Sequence, residues 1–197
     1  MSEQVRFHFD PLCPWAWQSS KWIREVEKVR PIDIEWRLFS LKLINAGTED
    51  PLSDRHSKGT PALRTLAMAR RKTGNEGVGR VYDAIGRQIH DGNAEPSAEV
   101  LARAVEVADL PPSIVEEALA DDTTMDDVRR EHDAVVAAVG AFGVPTIVLE
   151  SGRGIFGPVV AQAPTGEAAG ELWDHVRYFI ELDGFFELKR NRDRRPG

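Results

Sequence analysis

The strongest constraint on this chain lies in its first forty residues. In "VRFHFD", Val5, Phe7 and Phe9 alternate with Arg6, His8 and Asp10, which is the period of a strand. Asp10-Pro11 breaks the run. From Pro14 to about Val29, Trp17, Trp22, Ile23 and Val26 recur at helical spacing, and Pro31 closes the segment. A second alternation, "IDIEWRLFSL", predicts a strand over about 32–39. Strand, turn, helix and strand at this spacing predict a βαβ unit.

The pattern then changes. From Thr60 to about Gly140 it is helical throughout, in about five pieces. Thr60-Pro61 reads as a cap followed by proline at the first helical position, and Thr73-Gly74-Asn75 as the end of that helix. "VGRVYDAIGRQIH" predicts the next helix, stopping near residues 91–93. Ser97 is placed to cap "AEVLARAVEVADL", and Pro111-Pro112 separates that from "SIVEEALA". Thr124 with Asp127 reads as the opening of the last piece. Strand pattern returns at "GVPTIVLE" (143–150), and with "SGRG" and "IFGPVV" it predicts a β-hairpin. A final helix spans about Gly166 to Leu182, with Leu172, Trp173, Val176 and Ile180 on one face.

The order is β-α-β, helices, β-β-α. Without the helical block, four strands and two flanking helices remain, the α/β arrangement of the thioredoxin fold around a mixed four-stranded sheet. The sequence thus divides into a thioredoxin-like domain (1–58 and 141–188), a helical insertion (59–140) and a basic tail (189–197). The tail carries five cationic side chains between Lys189 and Arg195 and is expected to be frayed and solvated.

Composition removes several functions. A formal charge of −7 repels nucleic acid and anionic membrane surfaces. No apolar run reaches the length of a membrane span. "MSEQVRFHFD" lacks the basic and apolar regions of a secretory leader, so the expected location is cytoplasmic. A single cysteine rules out an internal disulfide and a thiolate zinc site within one chain, and the five histidines show no short metal-ligand spacing, so no metal is expected.

That cysteine stands in "FDPLCPWAW". This stretch, with "SLKLIN", "GRQIHDGN", "GVPTIVL", "GIFGPV" and "FFELKR", resembles the cytosolic DsbA-like family. That family includes the mycothiol-dependent oxidoreductases and nitroreductases, with the glutathione-using 2-hydroxychromene-2-carboxylate isomerases as more distant relatives. The resemblance spans nearly the whole chain. Ala16 departs from it, because many members carry a second cysteine at this position.

Cys13 precedes Pro14, the residue type best suited to open a helix, so its sulfur is expected to face free backbone N–H groups and the positive helix end. Both favour thiolate and predict a lowered pKa at an accessible site. At a pKa of about 6, roughly 90% of the thiol is ionised at pH 7, and the sulfur leaves readily from a mixed disulfide. Ala16 offers no resolving sulfur, so a mixed disulfide on Cys13 must wait for a thiol from solution. The expectation is a one-cysteine exchange cycle with a low-molecular-weight thiol as co-substrate. A buried structural cysteine is the plain alternative, and an alanine here is also what an engineered trap for a mixed disulfide would carry.

Other site residues follow. The resemblance implies a cis bond between Val144 and Pro145, facing Cys13 and offering the Val144 backbone to a ligand; a trans proline opening a strand is the alternative. Trp15 reads as a flat face for a substrate ring or as core packing. Asn45 reads as an amide donor to the ligand or a turn residue, and His90 as a proton donor or part of a helix end. Phe156 is expected to pack behind the Pro145 loop. Arginine far outnumbers lysine, alanine is abundant and asparagine scarce, a bias that suggests a GC-rich genome; the mycothiol-using relatives occur in such genomes, so the resemblance implies mycothiol ahead of glutathione. The expected substrates are small electrophilic, nitro or disulfide compounds. A thiol-assisted isomerase and a non-catalytic binding module are the alternatives, and the apolar faces of the insertion are compatible with a homodimer.

Overall fold

A computed structural model describes residues 2–197. Strand β1 (Glu3–Phe9) leads into helix α1 (Pro14–Val29) and strand β2 (Ile32–Leu38), and β2 lies parallel to β1. Strands β3 (Thr146–Leu149) and β4 (Gly154–Phe156) form the hairpin, and β3 runs antiparallel to β1. The sheet order is β2-β1-β3-β4, and helix α7 (Glu167–Glu181) packs beside α1. The apolar face read for α1 is the buried one: Trp17, Trp22, Ile23 and Val26 are each at most 1% exposed.

Between β2 and β3 lie α2 (Leu41–Ile44), α3 (Ser53–Gly86), a π-helical turn (Arg87–Asp91), α4 (Ala98–Val107), α5 (Ile114–Ala120) and α6 (Thr123–Val139). Two starts differ from the sequence reading. Helix α3 begins at Ser53, ahead of Thr60, and Pro61 lies inside it. Asp50 braces the turn ahead of this start: its carboxylate accepts from the Leu52 N–H at 2.9 Å and pairs with His56 at 2.7 Å. Helix α6 starts at Thr123, because Asp121 accepts the Thr123 N–H at 3.0 Å. That leaves Thr124 buried, where its hydroxyl accepts from Arg64 at 2.9 Å. The break foreseen near Gly74 is present as a kink, with φ 68° at that glycine.

The insertion protects the sheet. Strand β2 is an edge strand, whose free N–H and C=O groups invite pairing with another chain. The Asn75 side chain occupies that edge, accepting from the Trp36 N–H at 2.8 Å and donating to the Ile34 carbonyl at 2.7 Å. The Leu38 N–H donates to Glu131 of α6 at 2.6 Å. Helix α3 reaches the core through a glycine: a Cβ on Gly86 would stand 2.3 Å from a Trp17 ring carbon. Nearby, Phe9 stacks on Tyr82 with ring centroids 3.7 Å apart.

Candidate active site

Cys13 is the N-cap of α1, as its place before Pro14 required. Its Sγ accepts the Ala16 N–H at 3.4 Å, so the residue in place of a second cysteine contributes a backbone donor to the first. On its other side the thiol donates to the Val144 carbonyl at 3.7 Å. The Val144–Pro145 bond is cis, and so is Gly157–Pro158, which the sequence reading did not foresee. The Gly157 N–H donates to the Pro145 carbonyl at 2.8 Å, tying the two loops together. Phe156 lies behind Gly143, 3.3 Å from where a Cβ there would sit, and stacks on Phe142.

The accessible, acidic thiol expected at this position is corrected by the structure. Cys13 is 8% exposed. Burial pushes its pKa up to about 11; the Ala16 and Trp15 N–H groups and the Arg55 guanidinium act the other way, and the Asp10 carboxylate reinforces the rise. The helix start supplies the donors that were anticipated, but loss of hydration outweighs them. In this conformation nearly all of the thiol is protonated at pH 7. A higher pKa makes each thiolate more nucleophilic, but the fall in the ionised fraction outweighs that gain, so net attack is slower than for a free cysteine.

Asp10 was read only as the break after β1. It is 1% exposed, and its carboxylate accepts the Leu12 N–H and, across the site, the Leu41 N–H, both at 2.9 Å. Burial pushes its pKa up to about 6 against the pull of those two bonds. The readable signal was Asp before Pro, a pattern in which the side chain bonds the backbone two residues on. Arg55, also unforeseen, reaches the Leu12 carbonyl at 3.4 Å from the start of α3.

The remaining candidates spread around this centre. His90 Nε2 meets the Pro11 carbonyl at 2.9 Å, and its ring lies along Trp17, so its bond goes to the cysteine loop. Asp91 accepts the Trp17 indole N–H at 2.9 Å and fixes the same corner. Asn45 caps α2 and donates its amide N–H to the Leu41 carbonyl at 2.8 Å. Trp15 is half-buried, and the Arg192 guanidinium lies 4.7 Å from its ring centre. The tail expected to be frayed thus touches the site there, and beyond it the Gly197 N–H donates to the Ala161 carbonyl at 2.9 Å. Among the described residues no cluster of His, Cys, Asp or Glu is arranged to hold a metal.

Comparison with known proteins gives this arrangement a context. The sequence profile of the Rv2466c-like family, described as mycothiol-dependent nitroreductase Rv2466c, matches residues 12–190. An uncharacterized protein of Mycobacterium tuberculosis (strain ATCC 25618 / H37Rv), Rv2286c, is 43% identical over 190 residues, covering 94% of this chain and 81% of that one. Among solved structures, the probable DsbA oxidoreductase SCO1869 from Streptomyces coelicolor aligns with TM-score 0.61 at 19% identity, over 97% of this chain and 94% of its own. The cytosolic disulfide reductase DsbM from Pseudomonas aeruginosa with GSH gives 0.60 at 17%, over 88% and 99%. A 2-hydroxychromene-2-carboxylate isomerase gives 0.62 at 15%, over 78% and 88%. At these identities the structural likeness establishes the DsbA-like thioredoxin fold with a helical insertion.

Proposed function

The chain belongs to the Rv2466c-like family of mycothiol-dependent nitroreductases, and from that premise we propose a thiol-dependent oxidoreductase or S-transferase that works through the single sulfur of Cys13. The observation that carries this reading is the N-cap position of Cys13, with Sγ bonded to the Ala16 N–H where a second sulfur would otherwise stand. The co-substrate is a low-molecular-weight thiol, mycothiol ahead of glutathione, and the substrates are small electrophilic, nitro or disulfide compounds. No metal takes part, and the protein works in the cytoplasm. The helices of residues 59–140 form the roof of the site.

In the exchange cycle the Cys13 thiolate attacks one sulfur of a disulfide. A Cys13–sulfur bond forms, the substrate S–S bond breaks, and the departing thiolate takes up a proton. A second small thiolate then attacks the substrate sulfur of the mixed disulfide: a new disulfide forms between those two sulfurs, the Cys13–sulfur bond breaks, and Cys13 leaves as thiolate. Over the two steps the small thiol is oxidised into the new disulfide, half of the substrate disulfide is reduced to a thiol, and Cys13 returns unchanged. Because the resting thiol is buried and donates to Val144, a ligand must displace that contact before the thiolate forms. Val144 and Pro145 then border the bound thiol, Trp15 offers its ring face, and Asn45 and His90 stand at the periphery of the ligand.

Incubation with oxidised mycothiol or glutathione, followed by intact-mass measurement, tests the cycle. One adduct on Cys13, absent from Cys13→Ser, is expected; no adduct with either disulfide overturns it. Ala16→Cys is expected to gain an internal disulfide and lose strict dependence on added thiol.

The burial of Cys13 favours a second reading, in which the bound small thiol itself adds to the substrate, as in a thiol-assisted isomerase. Turnover that survives in Cys13→Ser selects it. A binding module without catalysis is the outcome if no substrate turns over with either thiol.

A further inference from the structure

The sheet has a second polar feature, away from Cys13. Arg6 and His8 of β1 alternate with the buried Phe7 and Phe9 and share their face with Glu35 and Arg37 of β2, their partners in register. Between this face and α6 lies a cavity of about 160 Å³, lined by Arg6, His8, Arg37 and Glu131. Its apolar wall comes from short side chains, Ala134 and Ala138 of α6 among them.

The cavity is rich in donors and positive charge. His8 is 5% exposed, and its Nδ1 is sealed without a hydrogen-bond partner. A buried bare acceptor costs less than a buried unpaired N–H, so the ring proton belongs on Nε2, the nitrogen left to face the cavity. Burial, with the fields of Arg37, Arg6 and Arg70, holds the His8 pKa at about 3, and the ring is neutral at pH 7.

The carboxylates nearby are already committed. Glu131 pairs with Arg70 at 2.9 Å and accepts the Leu38 N–H, and Glu35 pairs with Arg37. Arg6 has no carboxylate partner among the described residues; it donates only to the Leu149 carbonyl, at 2.9 Å. Three guanidinium groups against two carboxylates leave one positive charge beside an apolar wall, where a counter-charge is worth more than in water.

We propose that this cavity binds a small tetrahedral oxyanion of the phosphate or sulfate class, held by Arg6, Arg37 and His8. The volume exceeds what a single water requires, and planar guanidinium groups match oxyanion geometry with paired donors. The site lies on the opposite face of β1 from its Phe7 and Phe9 packing and takes no part in the Cys13 cycle.

Isothermal titration calorimetry of the intact protein at pH 7, with sulfate, phosphate, acetate and chloride at matched ionic strength, tests the proposal. Saturable one-site binding of sulfate or phosphate is expected. Arg6→Gln, which removes the uncompensated charge, and Ala138→Leu, which fills the cavity with every charge retained, are each expected to weaken it at least tenfold. Both variants are expected to alkylate Cys13 at the wild-type rate, which separates this site from the proposed function. No saturable binding, binding untouched by the two substitutions, or acetate binding as tightly as sulfate overturns the proposal.

Discussion

At the scale of single residues, Cys13 shows two opposing effects and which of them wins. Its N-cap position delivers backbone donors to the sulfur, and burial then pushes its pKa up to about 11. Following iodoacetamide modification against pH is therefore expected to give a midpoint far above that of a free thiol; a midpoint near 6 would show that the helix start dominates. Asp10 provides the second check. Its carboxylate raises the Cys13 pKa, and above pH 6 it carries its charge. Asp10→Asn is expected to speed alkylation several-fold at pH 8. The same change leaves one of the Leu12 and Leu41 N–H groups facing an amide N–H, a destabilisation of about 1–3 kcal/mol measurable by urea unfolding.

At the scale of elements, the site is built by the approach of α1 to the end of α3. Gly86 allows it, because Trp17 occupies the space a side chain would need. The π-helical turn that follows places His90 on the Pro11 carbonyl and Asp91 on the Trp17 indole. Gly86→Ala is expected to push Trp17 out of register and to cost about 2–3 kcal/mol in chemical unfolding, the range for overpacking a tight core. A loss below 0.5 kcal/mol would mean that the helices separate freely. The helix break at Gly74 and the Ser97 cap were legible because each rests on a local preference, and Ser97 does accept the Val100 N–H at 3.3 Å. The Asp50-Pro51-Leu52 turn ahead of α3 carries the same local signal as Asp10-Pro11-Leu12, whereas the Thr60-Pro61 pair drew the reading past it to a later start.

At the scale of the whole molecule, buried histidines tie stability to pH. His8 has a folded pKa of about 3 against an ordinary 6.5, so its contribution is fully present above pH 6.5 and is lost as pH falls toward 3, where the unfolded chain binds the extra proton. His90 and His132 are lowered by burial and act in the same direction. Asp10, raised to about 6, acts in the opposite sense: its contribution is present below pH 4 and is lost as pH rises through 6. Between pH 7 and pH 4.5 His8 alone withdraws on the order of 2–3 kcal/mol. Urea unfolding at the two pH values in a buffer free of oxyanions is expected to show a shallower loss for His8→Gln by that amount. An unchanged slope would show that His8 is hydrated in the fold.

The sequence alone determined the strand order and the main helices, though not α2 or the π-helical turn, together with the apolar face of α1, the cap position of Cys13 and the DsbA-like family, because periodicity, proline placement and short motifs are properties of neighbours along the chain. Tertiary structure decided whether the sulfur is hydrated, what Asp10 and His90 bond to, and which polar side chains of β1 lack partners. Hydration and charge compensation depend on groups far apart in sequence: Val144 lies 131 residues from Cys13, and His90 lies 79 from Pro11. A helix start can be read from a proline, whereas burial exists only once the chain has closed over it.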